Sequence, residues 1–192
     1  MGTPLETEVK VKCDDVAARV AAHPELGWTV VTPRHFEDNF VFELPEGVLE
    51  RRGSILRLRV ADGHATLTYK GLVPESMSSE LKVREELETG VERPEVLAEI
   101  FERLGLRRVF RYQKYRTIYR LEADGKSALA MHDVTPFGEF LEIEGEADHV
   151  TGIARALGFE PADFVRESYI GIQAALCRAR GVPLQDLVFQ TA

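Results

Sequence analysis

The sequence predicts an α+β fold in which strands form a β-barrel and helices pack on its outside. The first observation behind this prediction is the segment Glu6 to Lys12, in which charged residues alternate with small or apolar ones. Such a period of two is typical of a strand, and it places the four charged side chains on one face. The second observation is that similar mixed-charge alternation recurs at least five times downstream. The third is that the chain after about residue 148 has helical periodicity.

Length and composition favour one soluble domain. With 192 residues the chain is long enough for a single domain over 1–192, with a barrel core at about 5–145 and helices at about 148–180. Hydrophobic residues make up 44% and charged residues 29%, as in ordinary globular proteins. The formal net charge of −8 argues against a surface that binds nucleic acid broadly.

The cysteines and the N-terminal segment indicate a cytoplasmic protein. Cys13 and Cys177 form neither a metal-ligand spacing nor a disulfide framework, which fits a reducing compartment. Met1 to Leu5 has no basic start followed by an apolar run, and no stretch approaches the ~18 apolar residues of a membrane span. We therefore expect a cytoplasmic protein, monomer or homodimer, that binds neither membranes nor nucleic acid.

The first half of the chain reads as strands joined by turns and one short helix. Asp14 or Asp15 is expected to cap a helix over Val16 to Ala22. The dipeptide Asp62-Gly63 predicts a tight hairpin, and the segment Gly71 to Ser79 predicts a flexible loop. The expected strands or extended segments are 6–12, 28–32, 35–42, 54–60, 65–70 and 81–89.

The second half continues the strands and then becomes helical. Pro94 to Leu104 is amphipathic, with Pro at its start and Gly105 just after its end, which predicts a helix. The next expected strands are 109–121, 128–134 and 140–144. The C-terminal helices are expected at 148–157 and 161–180, the last packing against the barrel wall or closing one of its mouths.

Two complementary sets of charged side chains lie on these strand faces. The candidate metal ligands are acidic: Glu6, Glu8, Glu86, Glu88, Asp133, Glu142 and Glu144. The candidate phosphate-binding residues are basic: Lys10, Lys12, Arg57, Arg59, Lys70, Arg84, Lys114 and Arg116. One charged strand face alone is most often simply solvated. The prediction rests on the joint pattern, in which Glu-x-Glu occurs on three strands and spaced basic pairs on at least three.

A lumen that holds so many charges predicts a wet site for metal and phosphate. Buried charges are costly unless they are paired or hydrated. Carboxylate oxygens suit hard cations such as Mg²⁺ or Mn²⁺, and guanidinium and ammonium groups suit phosphate oxygens. We assign catalytic roles to Glu6, Glu8, Lys10 and Glu142. The sequence shows no Gly-rich phosphate loop and no paired histidine spacing.

The ordered motifs resemble the CYTH family, the triphosphate tunnel metalloenzymes. The opening Glu6-x-Glu8-x-Lys10 is similar to the family's first motif, and Arg57-x-Arg59 and Lys114-x-Arg116 are similar to its basic strands. Further matches follow in the expected order over about 5–170, namely Lys70 with Gly71, Arg84 to Glu88, Asp133 and Glu142-x-Glu144. One departure is Glu167 before Ser168-Tyr169, where many relatives carry a lysine.

The resemblance implies an eight-stranded antiparallel tunnel and Mg²⁺- or Mn²⁺-dependent chemistry on a small triphosphate. We favour a phosphohydrolase that acts on thiamine triphosphate, inorganic triphosphate or a nucleoside triphosphate. The first alternative is a class IV adenylate cyclase, because the same grip could present the α-phosphorus to the ribose 3′-hydroxyl. The second alternative is a non-catalytic module that binds polyphosphate or a nucleotide.

Overall fold

Eight antiparallel strands form a closed barrel in the computed structural model, which describes residues 5–73, 81–123 and 125–190. The strands are β1 (Leu5–Lys12), β2 (Thr29–Glu43), β3 (Ile55–Ala61), β4 (His64–Leu72), β5 (Lys82–Val91), β6 (Arg107–Ala123), β7 (Lys126–Thr135) and β8 (Gly138–Glu144). Their order around the barrel is β1-β5-β4-β3-β2-β6-β7-β8, and β8 pairs with β1 to close it. The predicted α+β fold with an eight-stranded antiparallel barrel is confirmed.

Five α-helices occur in the described part of the chain. They are α1 (Val16–Ala22), α2 (Val48–Arg51), α3 (Pro94–Arg103), α4 (Ala147–Ala156) and α5 (Tyr169–Ala179). The predicted cap of α1 is confirmed, since the side chain of Asp15 accepts a hydrogen bond from the N–H of Ala18. The short α2 was not predicted from the sequence. Across the described ranges, no helix combines the length and the apolar composition needed to span a membrane.

The apolar faces of β1 and β8 point outward and lie under helices. Val9 and Val11 of β1, with Leu141 and Ile143 of β8, pack against buried residues of α1 and α4. Because side chains alternate along a strand, burying the apolar face outside the barrel turns the charged face of each strand into the lumen. Packing of α1 and α4 on the apolar faces of β1 and β8 therefore directs the charged faces of these two strands into the lumen.

The predicted strand 28–32 and the extended segment 35–42 are parts of one strand, β2. Register shifts between Val30 and Thr32 and between Thr32 and His35 interrupt its pairing with β6, and Pro33 lies in the second of these irregularities. Proline has no N–H to donate to a neighbouring strand, so a bulge lets the strand continue past it. The hairpin at Asp62-Gly63 is confirmed, with φ of +48° and +76°.

The prediction of one helix over 161–180 is wrong. A single 3-10 turn covers Pro161–Asp163, and α5 begins only at Tyr169. Between them the chain is extended because it pairs with β1: Phe164 forms a bridge with Val11, and the N–H of Val165 donates to the carbonyl of Lys10. The loop expected at 71–79 falls mostly outside the described residues, and Gly71 and Leu72 belong to β4.

Helix α5 packs across one end of the barrel. Of the two placements predicted for the last helix, this is the one that closes a mouth. Tyr169 and Ile170 join a hydrophobic cluster with Phe110 of β6, Phe140 of β8 and Val41 of β2. This is the end at which β1 finishes and β8 begins. The lumen therefore has a floor made by the start of α5.

Candidate active site in the barrel lumen

The lumen encloses a cavity of about 930 Å³ that most of the predicted site residues line. The acids on its wall are Glu6, Glu8, Glu86, Glu88, Glu142 and Glu144. The predicted bases on its wall are Lys10, Arg57, Arg59, Lys70, Lys114 and Arg116. These side chains come from six different strands, so the closure of the barrel is what brings the two charged sets together.

Three carboxylates form a compact acidic cluster at the β1–β8 seam. Glu6, Glu8 and Glu144 each offer an oxygen, and the three oxygens lie within 4.8 Å of one another. Glu8 and Glu144 face each other across the two strands, while Glu6 shares their face two residues before Glu8. We call Glu6, Glu8 and Glu144 the acidic cluster.

Burial and the contacts among carboxylates change the pKa values of Glu6, Glu86 and Glu144. Burial, a hydrogen bond with Glu6 and the charge of Glu6 together raise the pKa of Glu144 to about 9. Burial and a hydrogen bond with Glu6 also raise the pKa of Glu86 to about 7. Burial alone would raise the pKa of Glu6, but hydrogen bonds from Glu86 and Glu144 and the Lys70 ammonium outweigh it and lower that pKa.

The acidic cluster fits a hard divalent cation. The donors are all carboxylate oxygens, which Mg²⁺, Mn²⁺ and Ca²⁺ prefer. Burial and the neighbouring charge of Glu6 raise the pKa of Glu144, and a cation placed among the carboxylates would offset the repulsion between them. The residues present therefore suit a metal ion held between β1 and β8.

A buried pair of cations lies beside the acidic cluster and shares one carboxylate. Glu142 lies 3.1 Å from the Lys10 ammonium and also accepts a hydrogen bond from Arg116. Burial would lower the pKa of Lys10, but Glu142 and Glu8 outweigh it and raise that pKa. Lys10 also donates to the carbonyl of Glu167, at 3.2 Å. The departure at position 167 thus leaves a backbone contact with Lys10, and the Glu167 side chain itself is exposed.

The floor of the lumen is organised around Asp133. Its carboxylate accepts from Lys114 at 2.8 Å, from both Nε and Nη2 of Arg116, and from the Tyr169 hydroxyl at 2.8 Å. Asp133 is fully buried. The Lys10 ammonium lies 4.5 Å from the centre of the Tyr169 ring, a cation–π contact. Residues of β1, β6, β7 and α5 are thereby held in one arrangement.

A second group of cations occupies the opposite wall of the cavity. Lys70 lies 2.7 Å from Glu6 and 2.9 Å from Glu86. Arg57 donates to the hydroxyls of Tyr112 and Thr68, each at 3.3 Å. Arg59 lies 3.5 Å from Glu88. Lys70 is thus paired with two acids, and so is Arg59, which also lies 3.7 Å from Glu37. Among the described residues no acid lies within ion-pair distance of Arg57, so Arg57 is the cation of this wall left to meet an anion.

Three predicted site residues do not line the cavity. Lys12 shares the face of Lys10 but lies at the end of β1, where it is exposed and packs over Gly138. Arg84 donates instead to the carbonyl of Gly53. Asp133 was expected as a metal ligand, but its oxygens are already engaged by two cations and a hydroxyl.

Two site residues were missed by the sequence reasoning. Lys82 lines the cavity and donates to Glu8; it shares the inward face of β5 with Glu86, so strand alternation could have found it. Glu37 of β2 is buried, with Lys114 at 3.5 Å and Arg59 at 3.7 Å. Burial would raise the pKa of Glu37, but Lys114 and three arginines lower it. Its neighbours on the same strand face are His35 and Asn39, so strand alternation gave no run of acids or of Lys and Arg there.

Comparison with known proteins places this fold and site in a family. Residues 4–169 match the family model described as the CYTH domain. A Methanocaldococcus jannaschii protein named as a candidate adenylate cyclase is 31% identical over 179 residues, which is 88% of this chain and 98% of that protein.

Solved structures share the barrel. A candidate adenylate cyclase of Vibrio parahaemolyticus has a TM-score of 0.72 at 19% identity, covering 88% of this chain and 97% of that one. A candidate adenylyl cyclase of Hippeastrum, described as having a dominant triphosphatase activity, has a TM-score of 0.61 at 19% identity, covering 93% and 97%. At these identities the likeness concerns the fold.

Proposed function

This chain belongs to the CYTH family, and from that membership and the lumen geometry we propose that it is a divalent-metal-dependent phosphohydrolase of small triphosphates. The observation that carries the proposal is that the acidic cluster and a cationic wall face one cavity of about 930 Å³. An anion receptor without metal would gain nothing from three crowded carboxylates. Metal and polyanion together account for both sets of charges.

The acidic cluster would hold the metal, Mg²⁺ or Mn²⁺. When bound there, the ion would neutralise phosphate oxygens and polarise the phosphoryl group. Lys82 and Lys70 each pair with a carboxylate of this cluster, through Glu8 and Glu6. They keep these carboxylates oriented and limit the net negative charge that a triphosphate would meet.

The basic residues would bind the triphosphate oxygens. Arg57, Arg59 and Lys70 line one wall, and Lys10, Lys114 and Arg116 line the other, so a phosphate chain between them would be contacted from both sides. Guanidinium groups can donate two hydrogen bonds to one phosphate. Positive charge fixed in place before the reaction stabilises the transferring phosphoryl group, which is the main catalytic term in such chemistry.

Besides the metal and the phosphate-binding groups, hydrolysis needs one positioned water molecule and a carboxylate that accepts its proton, and no pocket for a nucleobase. The water oxygen forms a bond to the terminal phosphorus, the bridging P–O bond breaks, and the diphosphate end leaves with that electron pair. The proton of the water passes to a lumen carboxylate. Glu142 serves this step indirectly, because it fixes Lys10 and Arg116 at the phosphate-binding wall.

A second candidate is adenylate cyclisation, which the name of the M. jannaschii relative favours. The cavity of about 930 Å³ lies at the upper end of the usual range for ligand pockets, and a whole nucleotide fits such a volume. In that reaction the ribose 3′-hydroxyl attacks the α-phosphorus and pyrophosphate leaves. Hydrolysis remains the main proposal, and the dominant triphosphatase activity described for the Hippeastrum protein supports it.

Product analysis distinguishes these functions. The protein is incubated with ATP, thiamine triphosphate or inorganic triphosphate, each with Mg²⁺, with Mn²⁺ and with EDTA. Orthophosphate that appears only with metal supports the hydrolase, whereas cyclic AMP with pyrophosphate supports the cyclase. Tight triphosphate binding without turnover under either metal would contradict both and leave a binding module.

A further inference from the structure

One part of the lumen wall is apolar and serves no role in holding phosphate or metal. Ile118 of β6 and Leu129 and Met131 of β7 line the same cavity as the charged residues. Ile118 and Met131 are paired across the two strands, and Leu129 is paired with Arg120. We call Ile118, Leu129 and Met131 the apolar shelf.

The apolar shelf lies directly beside the acidic cluster. Leu129 is the register partner of Glu144, and Met131 is the register partner of Glu142. Paired residues of neighbouring strands point to the same face and are about 5 Å apart. A ligand whose phosphates reach Glu144 through a metal ion would therefore place its remaining part against the shelf.

The shelf extends from the interior to the open end of the lumen. Met131 is 2% exposed, whereas Leu129 is 38% exposed although it points into the barrel. Leu5 and Arg120, both exposed, also line this end of the cavity. Apolar carbon that is exposed to solvent inside a charged lumen is unfavourable unless a ligand covers it.

Inorganic triphosphate would gain nothing from such a surface. All its peripheral atoms are charged oxygens, which lose hydration beside aliphatic carbon. A substrate with an organic ring would instead cover the shelf, and the planar Arg120 guanidinium could stack on that ring. The two halves of the lumen thus match the two halves of an organic triphosphate.

We propose that the apolar shelf binds the organic group of the substrate, so that the protein acts on ring-bearing organic triphosphates in preference to inorganic triphosphate. This inference rests on the proposed triphosphate chemistry and narrows its substrate class. The residues that would set the specificity are Ile118, Leu129 and Met131, with Arg120 at the mouth. None of them belongs to the predicted phosphate or metal set.

The first test compares substrates with the unaltered protein. We expect kcat/KM for ATP or for thiamine triphosphate to exceed that for inorganic triphosphate by about tenfold or more, the range that contacts in an apolar pocket supply. An equal or higher kcat/KM for inorganic triphosphate would overturn the inference while leaving the proposed hydrolase in place.

The second test removes the shelf. Leu129→Ser, alone and with Ile118→Ser, should lower kcat/KM for the preferred organic triphosphate by about tenfold and change that for inorganic triphosphate less than twofold. The matched control is Leu87→Ser, at a leucine of β5 that is 50% exposed and does not line the cavity; it should change neither value. An equal loss with both substrates, or no loss, would overturn the inference.

Binding measurements keep this inference separate from catalysis. If no triphosphate is turned over, the proposed function fails, and calorimetry with Mn²⁺ and the β,γ-methylene analogue of ATP still tests the shelf. The shelf predicts about tenfold weaker binding of that analogue by Leu129→Ser and unchanged binding of inorganic triphosphate. Equal affinities of the unaltered protein and of Leu129→Ser for the analogue would contradict the inference. Thermal unfolding shows that each variant is folded.

Discussion

At the scale of single residues, the acidic cluster lowers the free energy of unfolding in the arrangement that suits it to bind a metal ion. Glu144 has its pKa raised to about 9, from an ordinary value of 4.5, by burial and by Glu6. An acid whose pKa is raised on folding contributes most stability below its unfolded pKa, and that contribution is lost as the pH rises to the folded pKa. The unfavourable term therefore grows between about pH 4.5 and about pH 9 and then levels off.

The variant Glu144→Gln tests this effect, because glutamine keeps the shape of the protonated acid but never ionises. In the absence of metal it should raise the free energy of unfolding at pH 7, with a larger gain at pH 9 than at pH 5. Denaturant titrations at the three pH values measure the gain. A loss of stability that is the same at every pH would contradict the account.

The same variant should bind metal more weakly. Mn²⁺ affinity, measured by calorimetry, should fall at least tenfold, because one of the three carboxyl groups of the acidic cluster, which can lose its proton to a bound cation, is replaced by an amide that cannot become charged. Glu99→Gln is the matched control, at an exposed glutamate that pairs with Arg103 on α3. Unchanged Mn²⁺ affinity in Glu144→Gln would show that the metal binds elsewhere.

Loss of Glu37 should destabilise the barrel. It is buried between Lys114 and Arg59, and its removal leaves Lys114 with Asp133 and Arg59 with Glu88. Because each cation keeps one acid, Glu37→Gln should cost less than the loss of a sole partner, about 1–3 kcal/mol. Glu99→Gln, at an exposed pair, should cost about 0.5 kcal/mol or less. Equal effects of the two substitutions on unfolding would refute this role.

At the scale of elements, helix α5 holds the floor of the lumen through Tyr169. Its hydroxyl donates to the buried Asp133, and its ring supports the Lys10 ammonium. Tyr169→Phe keeps the ring and removes one hydrogen bond to a charged group, so we expect a loss of about 1.5–3 kcal/mol. Tyr119→Phe, at a tyrosine packed on Trp28 outside the lumen, is the control and should change stability by less than about 0.5 kcal/mol. Equal losses in both variants would contradict this.

The elements differ in how well the sequence predicted them. Strand alternation identified the charged faces of β1, β3 and β8, because side chains alternate between the two faces of a strand whichever strands lie beside it. The helix expected over 161–180 failed because its first part pairs with β1, a contact between segments about 150 residues apart. Periodicity within a segment cannot report such a contact. The segments 28–32 and 35–42 were predicted separately for the same reason, since only the pairing with β6 on both sides of Pro33 joins them into β2.

The site residues follow the same division. Lys10 and Arg57 were found because each belongs to a charged pair on an alternating strand. Glu37 was missed because its neighbours on the same strand face are His35 and Asn39, so no run of acids or of Lys and Arg marks that face. Only the pairing of β2 with β6 places it opposite Lys114. The metal-ligand role of Asp133 stays a prediction, and its contacts with Lys114, Arg116 and Tyr169, which engage both carboxylate oxygens, depend on packing that strand alternation does not show.

At the scale of the whole molecule, the barrel inverts the usual arrangement of a sheet. Apolar faces of β1 and β8 are covered by α1 and α4 outside, and charged faces line the cavity inside. The overall charge of −8 coexists with a cationic wall because that wall is local and enclosed. A closed barrel makes this possible, since each described strand has a paired neighbour on both sides and the charged faces converge on one lumen.

The central claim is that the acidic cluster and the cationic wall act on one metal–triphosphate complex in this lumen. The most direct measurement is an anomalous difference map from crystals soaked with Mn²⁺ and inorganic triphosphate. The account predicts a manganese peak among the carboxylates of Glu6, Glu8 and Glu144, with phosphate density reaching Arg57 and Arg59. Manganese and phosphate density found only outside the barrel would contradict it.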